Sequence, residues 1–158
     1  MRELTEIRWH ARAGQGAKTA SNILALALLR NGKSVQSFPE YGPERRGAPL
    51  RAFTRFSDSR VRRHDAVDEP DLVVVLDVSL LGEPTVSEGV SAETRVLVVP
   101  AERFATHHTN VAMLGAVAAE LGEPPFDALQ DAVVETLGAK ADPESLRAAA
   151  AEGYRWRS

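Results

Sequence analysis

The chain contains no cysteine among its 158 residues. That absence excludes disulfides, thiolate zinc sites and cysteine-ligated iron–sulfur clusters on this polypeptide, so any electron transfer it takes part in must run through partners. No apolar stretch approaches the ~20 residues that a membrane-spanning helix needs. Met1-Arg2-Glu3-Leu4-Thr5-Glu6 places two acids where a signal peptide has a basic start and an apolar run. The expected setting is the cytoplasm, with no membrane partner. Lysine and arginine are absent from Asp65 to Thr94, where eight acids stand, and a net charge of −3 gives no reason to expect nucleic acid. No serine–histidine–acid motif is visible. His107 and His108 are adjacent and would point about 100° apart on a helix, which makes a poor metal pair; a cap or a partner contact suits them better.

What is present is ordinary globular composition, 44% hydrophobic and 26% charged, enough to expect one domain over residues 1–158 that buries roughly two-thirds of its unfolded surface. Glu3 to His10 alternates Ile7 and Trp9 against Arg8 and His10, a short strand. Ala17 to Arg30 is rich in Ala and Leu and ends at Asn31-Gly32, a helix with a left-handed cap, apolar on nearly all sides and so buried on more than one face. Ser34 to Phe38 is a second strand. Leu50 to Phe56 is a third, with Arg51, Phe53 and Arg55 on one basic face, and Val61 begins a return strand that completes a hairpin. Leu72 to Leu76 and Val96 to Pro100 are apolar runs that read as the sheet centre. Val111 to Leu121 reads as an amphipathic helix, Phe126 to Leu137 and Pro143 to Glu152 as two more, the last opened by Asp142-Pro143, before an aromatic, basic tail, Tyr154-Arg155-Trp156-Arg157, able to dock. This order predicts an α/β three-layer domain with a mostly parallel central sheet plus a β-hairpin.

Two features carry chemistry. The first is the strand, turn and helix around Gly14-Gln15-Gly16, continued by Lys18 and Thr19: backbone N–H groups and the macrodipole at a helix start favour an anion, which makes Gly14, Gln15, Gly16 and Thr19 candidate phosphate contacts. Tight strand-to-helix packing explains the same glycines, and Ala11 and Ala13 occupy positions where a dinucleotide fingerprint has glycine. Asp77, just past an apolar strand, is either at the ligand-binding edge or a helix cap. The second feature is Ser37 to Arg51, in which three prolines and two glycines forbid regular structure. It holds Glu40-Tyr41-Gly42-Pro43-Glu44-Arg45-Arg46-Gly47, two carboxylates and paired guanidiniums stiffened by turn residues, either a solvated loop or a recognition surface. Seven arginines and one acid lie between Arg45 and Arg63. They form a positive face for an anionic partner, or they are neutralised by the acidic stretch that follows.

Phe38-Pro39-Glu40-Tyr41-Gly42-Pro43-Glu44-Arg45-Arg46-Gly47-Ala48-Pro49 resembles the signature of the gamma subunit of the 2-oxoacid:ferredoxin oxidoreductases, in the pyruvate-type form. Gly14-Gln15-Gly16 and Asn110-Val111-Ala112-Met113-Leu114-Gly115-Ala116 agree with it, so the resemblance spans about Ile7 to Leu121. It implies a complex that converts a 2-oxoacid and coenzyme A to an acyl-CoA and carbon dioxide, passing electrons to ferredoxin. Thiamine diphosphate and magnesium would sit on alpha and beta subunits and iron–sulfur clusters on beta and delta subunits. This chain would hold no cofactor and no catalytic residue, help shape the coenzyme A side of the site, and be inactive alone. Glu40, Tyr41, Gly42, Pro43, Glu44, Arg45, Arg46, Gly47 and Asn110 become the expected partner interface, and Gly14, Gln15, Gly16 and Thr19 candidate coenzyme A contacts. A free-standing nucleotide-binding module is the alternative reading; an independent hydrolase using Glu40, Glu44 and His108 as acid and base is a third.

Overall fold

The computed structural model describes residues 3–40 and 47–156; Tyr41, Gly42, Pro43, Glu44, Arg45 and Arg46 lie outside the described residues. Strands β1 (Leu4–Arg12), β2 (Ser34–Pro39), β3 (Pro49–Ser57), β4 (Leu72–Val75) and β5 (Arg95–Val98) form one sheet in the order β2-β3-β1-β4-β5. β1 pairs in parallel with β4, and β4 with β5, while β3 runs antiparallel to both β1 and β2. Four strands therefore share one direction and β3 opposes them, which is the expected mostly parallel sheet with a hairpin inserted.

The hairpin differs from the expected one. β3 returns from β2, and residues 58–71 form no strand. Arg60-Val61-Arg62-Arg63-His64 offers one apolar side chain to a sheet, too little to bury. The segment is instead tied down by the Arg55 guanidinium, which donates to the Asp65 carbonyl at 2.8 Å. β5 is also an edge strand, not part of the sheet centre: Val96 is exposed and Val98 half-buried, whereas Val73, Val74, Val75, Leu97 and Val99 are fully buried. β1 holds the centre.

One sheet face carries Ile7, Trp9, Ala52, Phe56, Leu72, Val74 and Leu97, which share one hydrophobic core with four long helices, α1 (Ala17–Arg30), α3 (Thr109–Leu121), α4 (Phe126–Leu137) and α5 (Pro143–Trp156); α1 lies on the strands, and α4 and α5 pack on the other helices. Two polar groups buried on this face satisfy each other, the Trp9 indole N–H donating to Thr54 Oγ1 at 3.1 Å. The opposite face is covered over β4 by a 3₁₀ turn (Val78–Leu80) and the short α2 (Pro84–Ser87), through Leu80 and Val86.

The residues explain most helix boundaries. α1 starts after Gly16 and stops where Gly32 takes a left-handed φ of 85°, and its buried stripe includes Ile23, Leu24, Ala27 and Leu28 while Leu29 is exposed. Asp142 caps α5 by accepting from the Ser145 N–H at 2.9 Å. α3 is not amphipathic as expected: every residue from Val111 to Ala118 is buried, because α1, α4, α5 and the sheet surround it. Its Gly115 and the Gly153 of α5 let the two helices touch backbone to backbone. The aromatic tail is spent internally as the last turn of α5, with Tyr154 stacked on Phe126 at 4.4 Å and Trp156 edge-on to Phe104 at 5.9 Å. His108 occupies the N-cap position of α3 without a side-chain capping bond, its ring lying 4.1 Å from that of His107.

Candidate functional site at the carboxyl edge of the sheet

From β1 the chain moves to β2 and β3 on one side and later returns to β4 and β5 on the other. The turns that follow β1 and β4 therefore diverge, and the crevice between diverging turns at the carboxyl ends of strands is where open α/β sheets bind ligands. Here the two turns are stitched together. The Arg12 N–H donates to Gln15 Oε1 at 2.7 Å, and Gln15 Nε2 donates to Asp77 Oδ2 at 2.8 Å. Arg12 donates from Nε and Nη2 to Ser79 Oγ and from Nη1 to the Gly47 carbonyl, and lies 3.6 Å from Asp77. Asp77 also accepts from the Ser79 N–H at 2.9 Å, so it is cap and edge residue at once. Its carboxyl is held below the ordinary range, first by the Ser79 hydroxyl and backbone and then by Gln15 and Arg12.

The three sequence blocks meet at this edge. Gly14 and Gly16 have φ of 94° and 82°, so the turn needs them. A Cβ on Gly16 would lie 2.9 Å from Asn110 Nδ2, so Gly16 also exists to let the start of α3 approach the start of α1. Thr19 is half-buried one turn into α1. No side chain caps α1, and the N–H groups of a helix's first turn have no acceptor within the helix. Arg12, Gln15 and Asn110 join them as hydrogen-bond donors, a set suited to an anionic or amide-bearing group, and the hydroxyl that lies among them, Ser79, is engaged by Arg12 and Asp77. Because Asn110 fills the space beside Gly16, this turn lacks the open glycine cradle that a dinucleotide site requires.

The residues that flank the Tyr41–Arg46 segment are anchored on both sides. At one, the Glu40 N–H donates to the Arg51 carbonyl at 3.0 Å and the Glu40 carboxylate accepts a two-pronged ion pair from the Arg51 guanidinium, one prong at 2.6 Å. At the other, the Ala13 N–H donates to the Ala48 carbonyl at 2.8 Å and Arg12 holds Gly47. The Glu40 carboxyl is pushed down by Arg51, which suits an anchor better than an acid–base catalyst, and the structure does not bring Glu40 and His108 together as a pair.

Of the five described arginines of the basic face, three are paired within the fold. Arg51 faces Glu40 and Glu88, Arg55 pairs with Glu6 at 3.0 Å, and Arg63 pairs with Asp65, leaving Arg60 and Arg62 exposed. Arg8 and His10, read from the sequence only as the polar side of β1, are almost wholly buried beneath this layer. Arg8 donates to the carbonyls of Val86 and Glu88 and, through Nε, to His10 Nε2 at 3.0 Å. The sequence signal was there in the alternation of charged residues on β1 facing those on β3, but alternation alone does not say that both sides are covered.

His10 must keep Nε2 unprotonated to accept from Arg8. Burial, then Arg8 and Arg51, push its pKa down to about 4. A base whose pKa falls on folding binds fewer protons folded than unfolded, so the stability it permits is present above its ordinary ~6.5 and is lost as the pH falls from there towards 4, by ~3 kcal/mol at most. His10→Gln preserves an acceptor and should flatten the stability profile in that window. Equal slopes for the two proteins in urea titrations from pH 7 to pH 4 would rule out a neutral, buried imidazole.

Among the described residues no group of three or more side chains is arranged to hold a metal ion, and no helix is long and apolar enough to cross a membrane. Residues 6–156 match the family described as pyruvate ferredoxin/flavodoxin oxidoreductase. The chain is similar to the pyruvate synthase subunit PorC of Thermotoga maritima, 40% identical over 169 aligned positions that cover 90% of this chain and 88% of the relative. It is also similar to the pyruvate/ketoisovalerate oxidoreductases common subunit gamma of Thermococcus kodakarensis, with 38% identity and coverage of 92% and 94%. The crystal structure of pyruvate oxidoreductase subunit PORC from Thermotoga maritima superposes with a TM-score of 0.82 at 34% identity, covering 98% of this chain and 97% of that one.

Proposed function

The chain belongs to the pyruvate ferredoxin/flavodoxin oxidoreductase family, and from that premise we propose that it is the gamma subunit of a 2-oxoacid:ferredoxin oxidoreductase, folded as a single gamma-type domain and working in the cytoplasm. In this reading the complex oxidatively decarboxylates pyruvate or a related oxoacid with coenzyme A to an acyl-CoA and carbon dioxide. Thiamine diphosphate and magnesium reside on alpha and beta subunits, iron–sulfur clusters on beta and delta subunits, and ferredoxin takes the electrons. This chain supplies assembly surface and flanks the coenzyme A side of the active site.

The observation that carries the reading is the convergence of Gln15, Gly47 and Asn110, distant in sequence, on one sheet edge next to the Tyr41–Arg46 segment. A site dominated by hydrogen-bond donors, on a chain without cysteine, fits a subunit that positions a substrate whose chemistry happens elsewhere. The sequence sets the guanidinium pair Arg45-Arg46 between Pro43 and Pro49, and planar guanidinium forks pair bidentately with carboxylates.

The test is reconstitution. The purified chain given pyruvate, thiamine diphosphate, magnesium and coenzyme A should not reduce an electron acceptor, and should support pyruvate-dependent reduction once alpha, beta and delta chains are added. Turnover by the single chain, or no association with those chains, would sink the proposal. Within the reconstituted enzyme, Arg45→Ala/Arg46→Ala should weaken assembly by roughly 2–5 kcal/mol if the pair meets partner carboxylates in a desolvated interface. If the pair instead meets coenzyme A, assembly is normal and the KM for coenzyme A alone rises.

A further inference from the structure

Five large hydrophobic side chains are exposed among the described residues. One, Leu29, lies on α1. The other four, Val78, Leu81, Val90 and Val96, all belong to the excursion from β4 to β5 and to β5 itself. Exposed apolar residues scattered singly over a surface are normal, whereas their concentration on one unit marks an interaction site. The excursion does not need them for its own folding. Its inward residues Leu80 and Val86 already cover Val73 and Val75, and the half-buried Val98 packs against the same cluster. Val96 lies on that same sheet face, two residues along β5 and opposite Val73 in the ladder. β5 is also an edge strand, and natural edges are usually blunted by charge; its one charged side chain, Arg95, is drawn aside to the Glu120 carbonyl at 2.7 Å.

Charge says what kind of surface belongs here. Glu83 and Glu93 are exposed along the excursion, Glu88 is exposed beside Arg51 at 3.6 Å, and neither lysine nor arginine occurs between Arg63 and Arg95. A second copy of this chain docking through the same patch about a two-fold axis would bring acid against acid in an apolar contact, which costs several kcal/mol. We propose that the outer surface of the β4–β5 unit, centred on Val78, Leu81 and Val96, seats a different subunit that presents an apolar patch within a rim of lysine or arginine. The proposal rests on the subunit reading above and adds a second surface to it, on the face of the sheet opposite the long helices.

The test uses the reconstituted complex, with light scattering after gel filtration and titration of the chain into alpha, beta and delta chains. Leu81→Lys/Val96→Lys alters exposed positions only, so its thermal midpoint should stay close to that of the unaltered protein, but its incorporation should be weakened roughly 30-fold or more, as for a charge placed among interface anchors. Leu29→Lys, an equally apolar loss on α1, should assemble normally. Normal incorporation of Leu81→Lys/Val96→Lys overturns the proposal while leaving the subunit reading intact. Failure of the unaltered chain to enter the complex overturns both. An unaltered chain that is dimeric alone, and becomes monomeric on Leu81→Lys/Val96→Lys, assigns the face to a second copy and refutes the hetero-subunit assignment.

Discussion

Val74→Asp is expected to lower stability by about 4 kcal/mol or more, leaving little folded protein. Val74 is wholly inaccessible on β4, paired with Trp9 on one side and Leu97 on the other, its side chain in the core that the sheet shares with the long helices. A carboxylate there would stand among aliphatic and aromatic groups with no counter-charge. It would remain buried only by taking up a proton, and would still lose its hydration. The same change at Val98 should cost far less, because that side chain is half-buried on the edge strand and a carboxylate can turn to water. Urea denaturation of the two variants measures the difference. A Val74→Asp protein that melts within a degree or two of the unaltered chain would show that β4 is not inside the core.

Gly153→Ala should be nearly as damaging for a different reason. A Cβ at Gly153 would run into the Ala112 carbonyl of α3, and one at Gly115 into the Ala150 carbonyl of α5. Each glycine thus lets the partner helix's backbone into contact, and the obstacle is backbone, which cannot swing away as a long side chain would. The helices must part, opening space along an interface that buries Leu146, Ala149 and Ala150. A loss of about 3 kcal/mol is expected. Gly122→Ala provides the contrast: nothing lies near its Cβ position, and only its left-handed φ of 74° resists the change, worth about 1 kcal/mol. Thermal unfolding should rank Gly153→Ala well below Gly122→Ala. Equal losses would mean that conformation, and not helix contact, is what these glycines provide.

The contrast also shows why Gly115, quoted within a recognisable motif, could not be understood from the motif. Its function depends on α5, which crosses α3 more than thirty residues later in the chain. Arg8 and His10 are a parallel case. Alternation placed them correctly on the side of β1 opposite Ile7 and Trp9, but their burial depends on coil and on α2, contributed by residues that carry no strand or helix pattern of their own.

By itself the sequence determined what short-range physics controls. The Ala- and Leu-rich run of α1, the apolar period of α4, the left-handed stop at Gly32, the Asp142 cap, the alternation of β1 and β3 and the apolar run of β4 are each written within a few residues, since helix and strand patterns are local. The family was legible for the same reason, its loop and glycine turn being contiguous. Only the tertiary structure decided that β3 inserts between β2 and β1, that residues 58–71 form no strand and are held at the Asp65 and Ala66 carbonyls by Arg55, that β5 is an edge, and that Arg51, Arg55 and Arg63 are neutralised from within. Those outcomes depend on pairings between residues tens of positions apart. Their free energies come from burial and charge compensation across the fold, which no local window of sequence contains.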